Sequence, residues 1–436
     1  MNGLRRLVRA APTEREPVVH RGGKRLWLRR NNWRLLADVA DTHRGRDLIS
    51  FESNRDGSRA VTVDDDGVVH VPFDVDAVFE TYVSERWVAR SGNRSLSPAQ
   101  LDLFYRVKGL IPRQAQLSAR RLLIRRHGLP VFPDWPVDTS VESLARFYLH
   151  CLIVANEGRD QRFDWFWPAG ATAAITLSHD VETAEGLALA VKLADLEEDL
   201  GFRSSFNVGA WYKPDPGILR ELKGRGFEIG CHALKHDRSL FESRSAFESS
   251  QTELRAFAER IGAVGFRSPA THRVYEWLGE LPFEYDGTIP HSDPYEPQPG
   301  GCCSLWPFFV GDVVEVPYTL PQDHTLFTLL REGSARRWLD AAARIERAHG
   351  LIHCVSHPDP GYLGDVRKAA YYRDFLTAVR ERPLWRALPY EVARWWRRRD
   401  DGGGQPALAA GGGSPEELEL KPPAAERGSS QVTGSE

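Results

Sequence analysis

Between about residue 169 and residue 395, short β-rich runs alternate with amphipathic stretches, and this alternation limits the possible folds more than any other feature of the chain. Ala173–Ser178, Ser204–Val208, Phe227–Cys231, Val313–Tyr318 and Leu351–Ser356 have the length and composition of strands. Gly186–Leu200, Ile218–Lys223, Ala246–Ile261 and Ala335–His349 space their apolar residues at helical intervals. Strands that alternate with helices are joined by crossovers, so the pattern predicts an α/β parallel sheet or barrel.

The chain ahead of residue 169 reads as an α+β accessory region. Ala60–Val63 and Val68–Val71 flank Asp64-Asp65-Asp66-Gly67, which predicts a β-hairpin. The three aspartates lack the alternate spacing and distal Glu of a calcium loop, so they are read as a turn. Gln114–Arg126 predicts a helix carrying Arg120, Arg121, Arg125 and Arg126, and no catalytic signature precedes residue 170. From Gly402 onward the chain is Gly, Pro, Ser, Ala and Glu with no aromatic residue, too little apolar surface to offset chain entropy, so a disordered tail is expected. The expected division is 1–168, 169–400 and 401–436.

Composition narrows the function classes. A net charge of −3 gives no electrostatic case for nucleic acid. The Arg-rich first thirty residues hold no apolar run of signal-peptide length, and the longest apolar stretch, Phe147–Ala155, falls far short of the roughly 20 residues that span a bilayer. A cytoplasmic location is expected. The five cysteines form neither a disulfide framework nor a paired C-x-x-C zinc motif, which fits reduced, buried thiols. Cys231, beside His232, is open to two readings, a metal ligand or a small buried residue at a strand end.

Four segments carry chemistry. Ile175 to Glu182 is an apolar strand ending in two acids, Asp180 and Glu182, one residue apart. In parallel α/β folds functional groups gather at the carboxyl ends of strands, and acids two positions apart on an extended chain point the same way. One could hold a metal while the other acts as a base; helix capping is the competing role. Phe227–His236 ends in His232-x-x-x-His236, a spacing that lets both imidazoles reach one ion, with two unrelated surface histidines as the alternative. Gly265-Phe266-Arg267-Ser268-Pro269 and Leu351–Pro358 bring Arg267 and His357 to the same rim.

In this order the four segments resemble the polysaccharide deacetylase family, the NodB homology domain or carbohydrate esterase family 4, over about residues 169–395. The resemblance implies a distorted (β/α)7 barrel. It implies Asp180 as catalytic base, Glu182, His232 and His236 as ligands of a divalent metal, zinc being the expected one, Arg267 as the residue orienting the base, and His357 as general acid. This chain departs from the family string Thr-Phe-Asp-Asp: Ser178-His179-Asp180-Val181-Glu182 moves the second acid by one position and lengthens it. Ala270 replaces the aromatic that follows Arg-x-Pro, leaving its backbone N–H as the oxyanion donor. For the family's fourth motif Tyr285-Asp286-Gly287 and Asp293-Pro294-Tyr295 both offer an acid, and Asp286 is taken as the catalytic one. Trp306 could be a sugar platform or a core residue.

The implied activity is removal of N-acetyl groups from an amino sugar in a polysaccharide or a lipid-linked precursor, releasing acetate. Two alternatives are hydrolysis of another C–N bond, of the cyclic ureide type, and an inactive sugar-binding module. The Arg-rich helix and Arg394-Trp395-Trp396-Arg397-Arg398-Arg399 raise a further expectation, peripheral contact with the inner membrane face, against the alternative of solvated helix faces with a buried Trp pair.

Overall fold

The computed structural model describes residues 3–55, 57–90 and 113–423, and their strands form three sheets. The first is N-terminal: β1 (Val18–Val19), β2 (Lys24–Arg30), β3 (Trp33–Val39), β4 (Arg46–Ser53), β5 (Ser58–Val63) and β6 (Val69–Val71), in the order β1-β6-β5-β4-β2-β3. The expected hairpin is present as β5–β6, its turn held by Asp64, whose carboxylate accepts from the Asp66 and Val68 amides, and by Gly67 at φ 76°. Alternation along β2–β4 puts Leu26, Leu28, Leu35, Ile49 and Phe51 on one face. That face is buried beneath the helices Val75–Val83 and Ser140–Ala155, where Phe147 packs on Trp33, Phe51 and Phe73.

The second sheet is the expected barrel. After β7 (Gln161–Asp164) come β8 (Ala174–Val181), β9 (Ser205–Val208), β10 (Glu228–Cys231), β11 (Gly265–Phe266) and β12 (Tyr285–Asp286). They are followed by the hairpin of β13 (Phe308–Val310) with β14 (Val313–Glu315), and by β15 (Leu351–Ser356). Seven of these, β14-β12-β11-β10-β9-β8-β15, run parallel in that order, and every residue of β8 and β15 is buried, as parallel strands covered on both faces require. The two end strands do not share a ladder. The barrel closes instead through the segment after β14, where the amides of Thr319 and Leu320 donate to the His353 carbonyl at 3.2 and 3.1 Å, which is the distortion the resemblance implies. The crossover helices Ala184–Asp199, Pro216–Gly224, Arg244–Ile261 and Val366–Val379 start on Thr183, Asp215, Ser243 and Asp365, whose side chains accept first-turn amides.

Two expectations are corrected. β14 is shorter than Val313–Tyr318, because Pro317 and the turn toward β15 end its pairing. The tail is ordered to residue 423: after β16 (Trp385–Arg386), β17 (Pro406–Ala410) pairs antiparallel with β7 and with β18 (Glu419–Lys421) in the third sheet. Here small alanines suffice, since Ala407, Ala409 and Ala410 bury themselves against a ready-made edge; residues 424–436 lie outside the described residues. In the Arg-Trp run the tryptophans point into the fold, while Arg394 and Arg398 are exposed. Trp395 and Trp396 are buried, Arg394 pairs with Glu284 at 2.8 Å, and buried Arg399 donates to the carbonyls of Leu7, Asp164 and Trp165. Arg120 and Arg121, on the helix Arg113–His127, likewise donate to the carbonyls of Tyr295 and of Thr328 and Leu329, so these side chains are engaged within the fold. No helix among the described residues is long and apolar enough to cross a membrane. All five cysteines are free and buried, and Trp306 is a core residue stacked on Phe166, not a platform.

Candidate active site

The carboxyl ends of the parallel strands bring six of the seven expected residues together. Asp180 lies near the end of β8, opposite Asn207 of β9 in the pairing register. Its Oδ2 accepts from Arg267 Nε at 2.6 Å and its Oδ1 from Asn207 Nδ2 at 2.9 Å, both bonds buried. Gly230 of β10 makes room for this: a Cβ there would fall 2.0 Å from Asn207 Oδ1. Arg267, just beyond β11, also donates to the Gly287 carbonyl and lies 4.7 Å from the centre of the Tyr318 ring. Burial alone would raise the Asp180 pKa, but Arg267, His232 and His357 outweigh it and hold the carboxyl well below the usual carboxylate range. Asp180 is therefore a permanently ionised group of fixed orientation.

Glu182 follows where β8 gives way to the turn, and its Oε1 lies 2.9 Å from His236 Nε2 and 4.0 Å from His357 Nε2. Its backbone is fixed from below by Asp359, which accepts the Glu182 amide at 2.9 Å and the Thr183 hydroxyl at 2.5 Å. Asp359 in turn fits only because Gly186 lacks a side chain; a Cβ there would sit 2.3 Å from the carboxylate. Burial would raise the Glu182 pKa, yet the His236 hydrogen bond and the nearby His357 bring it down to about 2. His232 is buried, and its Nδ1 bonds the Arg267 carbonyl at 2.9 Å, which leaves Nε2 with its lone pair. Burial pulls its pKa down to about 4, so the ring stays neutral. The His232 and His236 rings are 5.8 Å apart, and Trp211 covers both while donating Nε1–H to the Glu182 carbonyl at 3.0 Å.

His357, directly after β15, is gripped by a residue absent from the sequence reading. Asp323 Oδ1 lies 2.7 Å from His357 Nδ1, and Oδ2 accepts the His357 amide at 3.1 Å. Desolvation would lower the His357 pKa, but the charge and hydrogen bond of Asp323, with Glu182 and Asp180 nearby, raise it to about 10. His357 is thus a protonated imidazolium aimed across the rim at Glu182, with Tyr362 packed on its ring at 4.8 Å.

Asp286 is not brought to this rim. It is fully buried in β12, accepts from the Thr288 hydroxyl and amide, and faces Glu315 across the β12–β14 ladder. Burial raises both carboxyls, Asp286 to about 6, and neither hydrogen-bonds the residues gathered at the rim. Of the residues missed, Asp359 was within reach of the strand-end argument, two positions after His357, and Asn207 stands near the end of an expected strand. Asp323 had no such signal, since it follows a turn rather than a strand.

The ligand half fits a metal by donor chemistry, though not as a closed cage. Among the described residues no three His, Cys, Asp or Glu side chains are drawn together tightly enough to enclose an ion. Glu182 and His236 touch each other, and His232 has the neutral ring and outward-bonded Nδ1 of a ligand held by its second partner. Cys231 is not part of the set: it is buried in β10 with its thiol pushed up to about 12.

Among known proteins, no family model and no curated sequence matches the chain. Solved structures do align with about half of the chain. One from Mycobacterium smegmatis, provisionally assigned to the polysaccharide deacetylases, is 21% identical over 54% of this chain and 94% of its own, with a TM-score of 0.46. The allantoinase PuuE is 15% identical over 53% and 93%, with a TM-score of 0.42. The peptidoglycan deacetylase PdaC from Bacillus subtilis is 11% identical over 54% and 96%, with a TM-score of 0.35.

Proposed function

We propose that the protein is a metal-dependent hydrolase that removes N-acetyl groups from an amino sugar in a polysaccharide or a lipid-linked glycan precursor. The observation that carries this reading is the pairing, across one rim, of an ionised carboxylate held by Arg267 with an imidazolium held by Asp323. Hydrolysis of an amide needs both: a base to take a proton from water and an acid to give one to the departing nitrogen. Glu182, His232 and His236 would hold a divalent ion such as zinc, which when bound supplies an acidified water and a positive charge beside the carbonyl.

Asp180 takes the water proton on a carboxylate oxygen whose direction is set by Arg267 and Asn207. The turn after Arg267 places Ala270 and Thr271 at φ 49° and 55°, a costly conformation for residues with side chains, and on this reading the Ala270 amide is the oxyanion donor. His357 delivers its Nε2 proton to the amine as the C–N bond breaks, while Asp323 keeps Nδ1 engaged. The products are acetate and a free amino sugar. Trp211 and Tyr362 wall the site on either side and limit the entry of water.

Metal quantification on the purified protein, run beside acetate release from small N-acetylated sugars and lipid-linked intermediates, tests the proposal. Asp180→Asn should keep its metal and lose at least about 1,000-fold in turnover, within the range a general base contributes. Full turnover in that variant, or acetate release without bound metal, overturns the mechanism.

A further inference from the structure

The outer face of the N-terminal sheet carries a cleft that the barrel chemistry does not use. It has a volume of about 440 Å³, within the range of small-ligand sites, and lies between β2–β4 and the chain at Val131 and Phe132. The strand register explains its floor. Arg29 pairs with Arg34 on one side and with Glu52 on the other, so these three side chains form a row across the sheet. Trp27, two residues along β2, lies in the next row beside Asn54, whose amide donates to the Trp27 carbonyl at 3.2 Å. Trp27 is half-buried and packs against Phe132 with ring centres 5.2 Å apart.

Among the described residues the side chains of Arg34, Glu52 and Asn54 make no hydrogen bond or ion pair, although Arg34 and Glu52 stand in the same row. Each is planar and can grip two neighbouring hydroxyls at once. An indole beside such groups suits a pyranose ring, whose C–H face lies on the aromatic while its hydroxyls both donate and accept. A purely apolar ligand would bury Arg34 and Glu52 unpaired, and a strongly charged one of either sign would meet a like charge.

The loop that walls the cleft also packs on the barrel half of the chain: three residues beyond Phe132, Trp135 meets Tyr295 edge-on at 5.0 Å. Val131, on the wall of the cleft, is 65% exposed.

We propose that this cleft is a second carbohydrate site, which holds units of the substrate other than the one that is deacetylated, so that the substrate is a chain of several residues and not a single sugar. The claim that the bound units belong to the substrate rests on the deacetylase reading; the claim that the cleft binds oligosaccharide does not. The two are separated by measuring binding and acetate release independently on the full chain, with N-acetylated oligosaccharides of one to six units as probes. Binding should tighten with length in the unaltered protein and in Asp180→Asn alike. Trp27→Ala, and separately the double variant Arg34→Ala/Glu52→Ala at more exposed positions, should weaken binding of the longest probe at least about tenfold. Both should raise KM for that probe while leaving kcat and the rate on the single sugar unchanged. Equal affinity of these variants and the unaltered protein for every probe, or no length dependence of binding, overturns the second site. Length-dependent binding without acetate release from any probe would leave the site standing and remove the deacetylase reading.

Discussion

The two halves of the candidate active site are built to different standards of completeness. On one side Asp180 and His357 have every nearby bond made: Arg267 and Asn207 hold the first, Asp323 grips the second through both its ring and its amide, and all of these groups are buried. On the other side Glu182 and His236 are partly exposed and hydrogen-bonded to each other, with His357 4.0 Å from Glu182 and His232 standing back. The proton-handling half is preorganised by the chain alone, so its electrostatics cost nothing to assemble during reaction. The ligand half has unspent donor capacity, which is what an ion would complete. Chelation should break the comparison most sharply: activity falls to background while the far-ultraviolet circular dichroism spectrum is unchanged, because the walls of the site do not depend on the ion. Loss of secondary structure on chelation would show the two halves to be one unit. His236→Ala should copy chelation, since it removes a partly exposed side chain that supports nothing beneath it.

The next largest effect belongs to Asp323. Its hydrogen bond and charge raise His357 from an ordinary 6.5 to about 10, so the interaction stabilises the fold fully below pH 6.5 and is lost as the pH rises through about 10. Asp323→Asn keeps the shape but removes the charge. Turnover at neutral pH should fall by about 100-fold or more, on the scale of a general acid's contribution, and the alkaline limb of the pH–rate profile should move down toward the ordinary histidine value. The stability of the protein should also decline, and most clearly at pH 6 or below, where the native contact is at full strength. An alkaline limb unmoved by the substitution would mean that another group is the acid.

How much of this was legible in the sequence follows from the same contrast. Asp180, Glu182, His232, His236, Arg267 and His357 all stand at the ends of apolar runs, so a strand-end rule finds them; the alternation of strands and helices predicted a parallel sheet or barrel, and the number seven, which the parallel strands reach, came from the family resemblance. β11 and β12, two residues each, are too short to have a period, and were visible only through the Arg267 and Asp286 segments they carry. Asp286 came instead from the resemblance to the family's fourth motif. It ends a strand as Asp180 does, but it lies fully buried beside Glu315 of the next strand and not on the rim. Asp323 was hidden because its partner lies 34 residues away and its position is set by the turn that closes the barrel, a tertiary fact with no local trace. The C-terminal strand β17 was hidden for a related reason: Pro-Ala-Leu-Ala-Ala has little strand preference of its own, and only the free edge of β7 makes it one.

The smallest effect tests how finely the proton-handling half is tuned. Asn207 supplies one of the two hydrogen bonds to Asp180, at 2.9 Å, and the whole of β10 makes way for it at Gly230. Asn207→Ala leaves the Arg267 bond intact, so the carboxylate stays ionised and in place but gains freedom to rotate about that single contact. A hydrogen bond to a charged group contributes about 1.5–3 kcal/mol, part of which water entering the vacated space would restore. We therefore expect kcat to fall about tenfold with KM unchanged, and the acid limb of the pH–rate profile to rise as the carboxylate loses a donor that favours its charged form. If kcat holds while KM rises, Asn207 touches substrate and the base is oriented by Arg267 alone; the preorganisation argued for Asp180 would then be the work of one residue, and the contrast between the two halves correspondingly weaker.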